Sequence, residues 1–344
     1  MTGTVTRSPA AHDIDWTPVV GAVVWTPPEH RRPTLDQATA MRMLRCTPES
    51  FAALRGVGLE PSVTADGPRY DVDDVRNAAL YSRSGRTEVE TAMGAILSFL
   101  RGSDDALFGE RRWTYELVPF APAGDTCLVH PLVPEVFGGE SGPLTTTAGR
   151  GVVPRADGRV AVGSGEQLSA SIVTRGRPGK VVSPAIRSVT EDFLESGVRW
   201  HYLSPELKRD SHAAFARGIG NCDTMSAVLA DALRAAGFAP RAFRGWIVGI
   251  AEVPHSWVEV PDEDGLTKVI DPSLLVLARH STFGSPDFAE RALGATLSRV
   301  VPTRCDLAEP IAVATGGEPA EARFSCRSAS RAPAPGPRPG AAAS

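Results

Sequence analysis

Residues 218–273 read GIGNCDTMSAVLADALRAAGFAPRAFRGWIVGIAEVPHSWVEVPDEDGLTKVIDPS. A short loop, Gly218-Ile219-Gly220-Asn221, delivers Cys222 to the start of a helix. Met225, Val228, Leu229, Ala232, Leu233 and Ala236 then recur at spacings of three and four, which draws one continuous apolar stripe along that helix. Gly237 supplies the stop. Cys222 lies three residues before Met225, so the thiol sits at the helix N-terminus on the stripe that faces the core. Helix starts carry partial positive charge and N–H groups without intrahelical partners. That setting suits an anionic sulfur and offers donors to an oxyanion.

Three strands are predicted next, near residues 241–250, 255–260 and 267–271. HSWVEV alternates, with Ser256, Val258 and Val260 on one side and His255, Trp257 and Glu259 on the other. PDEDG at 261–265 is a strong turn signal. A five-residue turn centred on Glu263 places Val260 opposite Leu266 and His255 opposite Asp271. Opposed residues of an antiparallel pair share a face, with Cβ atoms about 4.5–5.5 Å apart. A one-residue slip would put the imidazole and the carboxylate on opposite faces. The helix bearing Cys222 must pack its stripe on this sheet, which brings the thiol toward the same histidine.

A Cys-His-Asp set has a defined chemical task. The histidine takes the thiol proton and returns it to a leaving group, the aspartate orients the imidazole, and the sulfur attacks an acyl carbon to form a thioester. The run G-x-G-N-C, A-x-L-R-A-A-G-x-x-x-R, H-S-W-V-E-V and V-I-D-P, over residues 184–280, resembles the core of the transglutaminase-like superfamily. The resemblance implies an α+β, papain-like fold, with the nucleophile helix packed on an antiparallel sheet. It also implies Cys222 as nucleophile, His255 as base and acid, and Asp271 as orienting acid. Trp257 matches the aromatic after the histidine and is expected to wall the site. Arg241 matches the arginine after the helix, a structural position. Trp200 and Asn221 are further candidates for substrate contact; packing for Trp200 and turn formation for Asn221 are the plainer readings. The family includes transglutaminases, peptidases and amide-forming acyltransferases, and membership does not choose among them.

Simpler roles exist for each residue. A lone cysteine is usually a small buried hydrophobe, and a zinc site built on this trio lacks an evident fourth ligand. No metal or cofactor is therefore expected. His201, His212 and His280 flank the core and read as surface residues, with His201 also placed to line the cleft.

Outward from the core, residues 1–33 read as an irregular Pro-rich arm carrying Trp16 and Trp25. Residues 34–120 read as mostly helical. Helices are predicted at 35–44, from the Thr47-Pro48 cap to Leu54, at 72–80 and at 87–101. The segment 34–80 weakly resembles a MerR or excisionase-type winged helix. It holds five arginines against seven acids, net −2, which weighs against DNA as a partner. Residues 121–182 read as an irregular strand-rich bridging segment, 183–326 as the catalytic domain, and 327–344, RSASRAPAPGPRPGAAAS, as a disordered tail.

The chain has 344 residues, net charge −4, 42% hydrophobic and 22% charged residues, and five cysteines. The acidic balance argues against a general nucleic-acid or membrane-surface binder. The cysteines are odd in number and far apart, so neither a disulfide scaffold nor a four-cysteine zinc site is expected. No apolar run is long enough for a membrane span, and no signal-peptide core is evident near the N-terminus, so a cytoplasmic location is the expectation. The expected activity is acyl transfer from an acyl or aminoacyl donor, such as a carrier-protein thioester or a peptide, to an amine acceptor, as in natural-product or peptide biosynthesis. The alternatives are a peptidase or amidase with the same residues, and an interaction or DNA-binding protein whose triad is vestigial.

Overall fold

The computed structural model describes residues 11–121, 125–147, 151–249, 252–280, 283–285 and 287–329. The expectation of disorder beyond residue 329 and the first ten residues of the arm fall outside them. Helices and mostly antiparallel strands occur in separate blocks, so the architecture is α+β. Among the described residues no helix is long and apolar enough to cross a membrane.

The chain forms two compact units, and each draws on several stretches of sequence. The first takes residues up to 103, then 178–243 and 255–295. The second takes residues 104–177, 244–254 and those from 296 on. These lines differ from the ranges read along the sequence. Strand Arg111–Phe120 does not stay with the helices before it; it pairs with Leu168–Thr174 and with Glu321–Ser328. The strands of 121–182 do not stand alone either: Thr126–Val129 lies between Val160–Gly163 and Ala312–Ala314. Strand pairing across some 200 residues leaves no local trace in a sequence, which is why the ranges missed it. The second unit closes around Trp113, Tyr115, Leu117, Ile172, Trp246 and Phe324, with the Trp246 and Phe324 rings stacked at 4.3 Å.

In the first unit the helices follow their local signals. Asp36, Thr47 and Thr87 each accept a backbone N–H of the helix they open, and Thr87 with Glu90 forms a reciprocal capping box. The helices run Gln37–Leu44, Pro48–Gly56, Val72–Tyr81 and Glu88–Ile96, and Pro33–Leu35, Gly67–Asp71 and Ser62–Thr64 make a small three-stranded sheet beside them. The arm packs its aromatics here. The Trp16 indole donates to the Ser50 carbonyl at 2.7 Å. The Trp25 ring lies so close to Gly58 (φ +125°) that a Cβ there would sit 2.2 Å from its Nε1.

The hairpin register differs from the expected one. Val258 pairs with Ile270, Glu259 with Val269, Val260 with Lys268 and Pro261 with Thr267. The turn is therefore centred on Asp264, not Glu263. Asp262 closes the ladder by donating its N–H to the Leu266 carbonyl at 3.0 Å, and Gly265 takes the left-handed conformation at φ +74°. A three-residue loop ending in a left-handed glycine is a favoured hairpin geometry. Asp262 is also held from outside the hairpin, because its carboxylate accepts the N–H groups of Val182 (2.6 Å) and Ser183 (2.9 Å). The pairing has moved by two positions, an even number, so every side chain keeps its face. Continued past Ile270, this register sets Asp271 opposite Trp257, one pair along from His255 on the same face.

Candidate active site

Cys222 is presented by a loop held on both sides. Arg199–Trp200 pairs in parallel with Ile219–Gly220, and the His201 N–H donates to the Gly220 carbonyl at 2.8 Å. A Cβ on Gly220 would meet the Met225 side chain at 2.9 Å, so the loop can run this close to the helix only with glycine there. Asn221 is the N-cap of helix Cys222–Ala235, and its side chain accepts the Thr224 N–H at 2.9 Å. It thus has a capping task, and Cys222 occupies the first helical position. At the other end Gly237 N–H bonds to the Arg234 carbonyl and Phe238 N–H to the Leu233 carbonyl, the paired bonds of a Schellman stop. Met225, Leu229 and Leu233 are fully buried, as the stripe requires.

His255 and Asp271 meet diagonally across the hairpin. His255 Nε2 lies 2.5 Å from Asp271 Oδ2. Asp271 is oriented in turn by its other oxygen, which accepts the Ser273 hydroxyl at 3.1 Å and the Leu274 N–H at 3.0 Å. Asp271 therefore caps helix Pro272–His280, with proline at the first helical position. The Cys222 side chain is hydrogen-bonded to His255. Since Asp271 holds Nε2, that contact falls to Nδ1. Burial alone would lower the His255 pKa; the Asp271 carboxylate, with a smaller effect from Cys222, overrides it and pushes it up to about 10. The structure thus brings together the thiol, the imidazole and the carboxylate named from the sequence. Of the five cysteines, Cys222 alone is half-buried and the other four are buried.

Two polar residues were missed by sequence reasoning. The Ser256 hydroxyl donates to Asp223 Oδ1 at 2.5 Å, and that oxygen lies 4.0 Å from Cys222 Sγ. This bond ties the first turn of helix Cys222–Ala235 to the strand carrying His255. The available signal was local: Asp223 and Ser256 each sit beside a candidate catalytic residue in the chain.

The other candidates lie as follows. Trp257 is fully buried, with its Nε1–H on Glu259 Oε1 at 3.0 Å and its ring 6.4 Å from that of His255. Trp200 is half-buried and packs edge-on against Tyr202 at 4.9 Å. The Arg241 guanidinium lies 4.7 Å over the Phe243 ring; burial raises the Glu259 carboxyl, against the Trp257 hydrogen bond and the smaller pull of Arg241. His201 is fully buried, contrary to the surface reading, and its Nε2 accepts the Val24 N–H at 3.2 Å. His212 is exposed and pairs with Asp231 at 2.9 Å.

No family model matches the chain, and no curated protein matches it. The fold is similar to the crystal structure of a candidate cysteine protease from Cytophaga hutchinsonii. The TM-score is 0.42 at 12% identity, over 66% of this chain and 93% of that one. A likeness at that level does not decide chemistry, which has to come from the side chains themselves.

Proposed function

We propose that this protein is a cysteine-dependent acyltransferase that forms a thioester on Cys222 and passes the acyl group to an amine. The observation that carries this reading is one half-buried thiol at a helix start, hydrogen-bonded to an imidazole whose far nitrogen is bound to a carboxylate. Cys222 Sγ gives its proton to His255 Nδ1 and attacks the acyl carbon. N–H groups of the helix start face the developing oxyanion. The tetrahedral intermediate collapses as His255 returns the proton to the leaving group, and the Sγ–C bond remains. An amine then attacks the thioester and gives its proton to His255, and the Sγ–C bond breaks as that proton returns to sulfur. Asp271 fixes the ring and stabilises the imidazolium in both halves.

The choice of an amine rather than water as acceptor is family-level analogy: the transglutaminase-like superfamily that the motifs resemble includes amide-forming acyltransferases beside peptidases, and the residues themselves do not choose between the two. The donor class that fits is an acyl or aminoacyl thioester on a carrier, or a peptide amide. Incubation with acyl-N-acetylcysteamine thioesters and glutamine peptides, followed by intact mass, should show an adduct on the wild type and none on Cys222→Ala. Adding amines should discharge the adduct to amides. Discharge to the free acid alone would favour a peptidase or amidase, and no adduct with any donor would leave the triad vestigial.

A further inference from the structure

The second unit carries a polar cluster that the thiol chemistry does not use. His130 follows strand Thr126–Val129, Cys305 lies in strand Val300–Asp306, and Glu309 ends the turn after it. One donor atom of each lies within 4.8 Å of the other two. His130 and Cys305 are buried, at 5% and 0% exposure, while Glu309 is more than half exposed. The backbone holds them in place: the His130 N–H donates to the Ile311 carbonyl at 2.9 Å, and the Glu309 N–H donates to the Asp306 carbonyl at 3.0 Å.

The composition of this cluster points to a ligand. The donors are one nitrogen, one sulfur and one carboxylate oxygen, a set that suits a borderline-soft divalent cation. His130 Nε2 and Glu309 Oε2 are 3.7 Å apart. Two ligands of a tetrahedral zinc at about 2.1 Å stand roughly 3.4 Å apart, so small side-chain adjustments would close the site. Asp306 and Asp157 add negative charge nearby, and the cation there, Arg159, is paired with Asp157 at 2.7 Å.

We propose that His130, Cys305 and Glu309 bind one zinc-class divalent cation, with water in the fourth position on the exposed Glu309 side. The cation cross-links the end of strand Thr126–Val129 to the turn after Val300–Asp306. About 175 residues separate His130 from Cys305 in the chain, so no spacing motif announces the site.

The test is cobalt and zinc titration of the full chain after chelation and dialysis. One equivalent of cobalt should produce a thiolate-to-cobalt charge-transfer band with tetrahedral d–d bands, displaced by one equivalent of zinc. The band should persist in Cys222→Ala, which separates this site from the catalytic thiol. It should vanish in Cys305→Ser. Glu309→Gln, an exposed change that leaves the fold intact, should weaken zinc at least roughly 10-fold. Circular dichroism of Cys305→Ser checks its folding. Absence of a thiolate band, a band lost in Cys222→Ala, or unchanged zinc affinity in Glu309→Gln would each overturn the proposal.

Discussion

Asn77 clasps the backbone of Tyr202 from both sides. Its Nδ2 donates to the Tyr202 carbonyl at 3.0 Å, and its Oδ1 accepts the Tyr202 N–H at 2.8 Å. One helical turn on, the Tyr81 hydroxyl donates to the Trp200 carbonyl at 2.8 Å. Helix Val72–Tyr81 therefore grips the segment whose strand, Arg199–Trp200, pairs with the loop that delivers Cys222. This helix, in the segment expected from the sequence to be winged-helix-like, thus holds the loop that delivers Cys222.

Asn77→Ala should accordingly affect both stability and chemistry. It leaves the Tyr202 N–H and carbonyl without their partner, at a cost of about 1–3 kcal/mol for each group that stays buried. The expected outcome is a lower Tm together with slower alkylation of Cys222. A lowered Tm with unchanged alkylation would confine Asn77 to stability and remove its link to the loop that delivers Cys222.

Selective alkylation follows from the burial pattern of the thiols. Burial pushes Cys46 up to about 11 and Cys326 up to about 12, and it also raises Cys127. Those thiols stay protonated and shielded at neutral pH, whereas Cys222 is half-buried beside an imidazole. Limiting iodoacetamide at pH 7 should label Cys222 first by a margin of at least roughly tenfold, read by peptide mass. Comparable labelling of Cys46 or Cys326 in the folded protein would contradict that ranking.

How the sequence carried these features depends on the range of each interaction. The helix bearing Cys222 and its glycine stop are local, and periodicity with stop chemistry found them; Asn221, read from the sequence as a turn former, caps that helix. The hairpin was legible as to face but not as to pair. Alternation sets which side chains share a surface, while the register depended on Asp262 bonding to Val182 and Ser183, some 80 residues earlier. His255 and Asp271 tolerate that error because a two-residue shift preserves the face and leaves them diagonal neighbours. The Asn77 clasp and the His130–Cys305–Glu309 cluster left no pattern, since their partners come together only in three dimensions.

Asp271 governs the charge of His255, and the sign can be worked out. The folded pKa of His255 is raised to about 10, above the ordinary 6.5. The stability this pair contributes is fully present below about pH 6.5 and is lost as the pH rises through about 10. Asp271→Asn removes the carboxylate that offsets burial, so the His255 pKa should fall below its ordinary value. Imidazole NMR should show that fall, and Tm should decline less between pH 7 and 10 in the variant than in the wild type. Acylation should drop by roughly 10⁴-fold, the scale seen when a triad carboxylate is neutralised. A His255 titration unmoved by Asp271→Asn would sink the assignment of Asp271 as its partner.

The arm should loosen in acid through His201. The Val24 N–H needs a lone pair on Nε2, so the proton of the neutral ring sits on Nδ1, which faces the Arg199 carbonyl at 3.4 Å. Burial lowers the His201 pKa to about 4. A depressed histidine pKa contributes stability that is present above about 6.5 and is lost as the pH falls through about 4, on the order of 3 kcal/mol here. Asp74, which accepts the Thr26 N–H at 2.8 Å, works the other way. Burial raises it to about 6, so its contribution grows as the pH falls from 6 toward 4. Hydrogen exchange over residues 11–33 separates the two. If His201 dominates, exchange should accelerate between pH 5 and 4 after correction for intrinsic rates. His201→Gln keeps an acceptor without a titration, and in that variant the acceleration should disappear. Acceleration of equal size in His201→Gln would assign the acid sensitivity of the arm to another group.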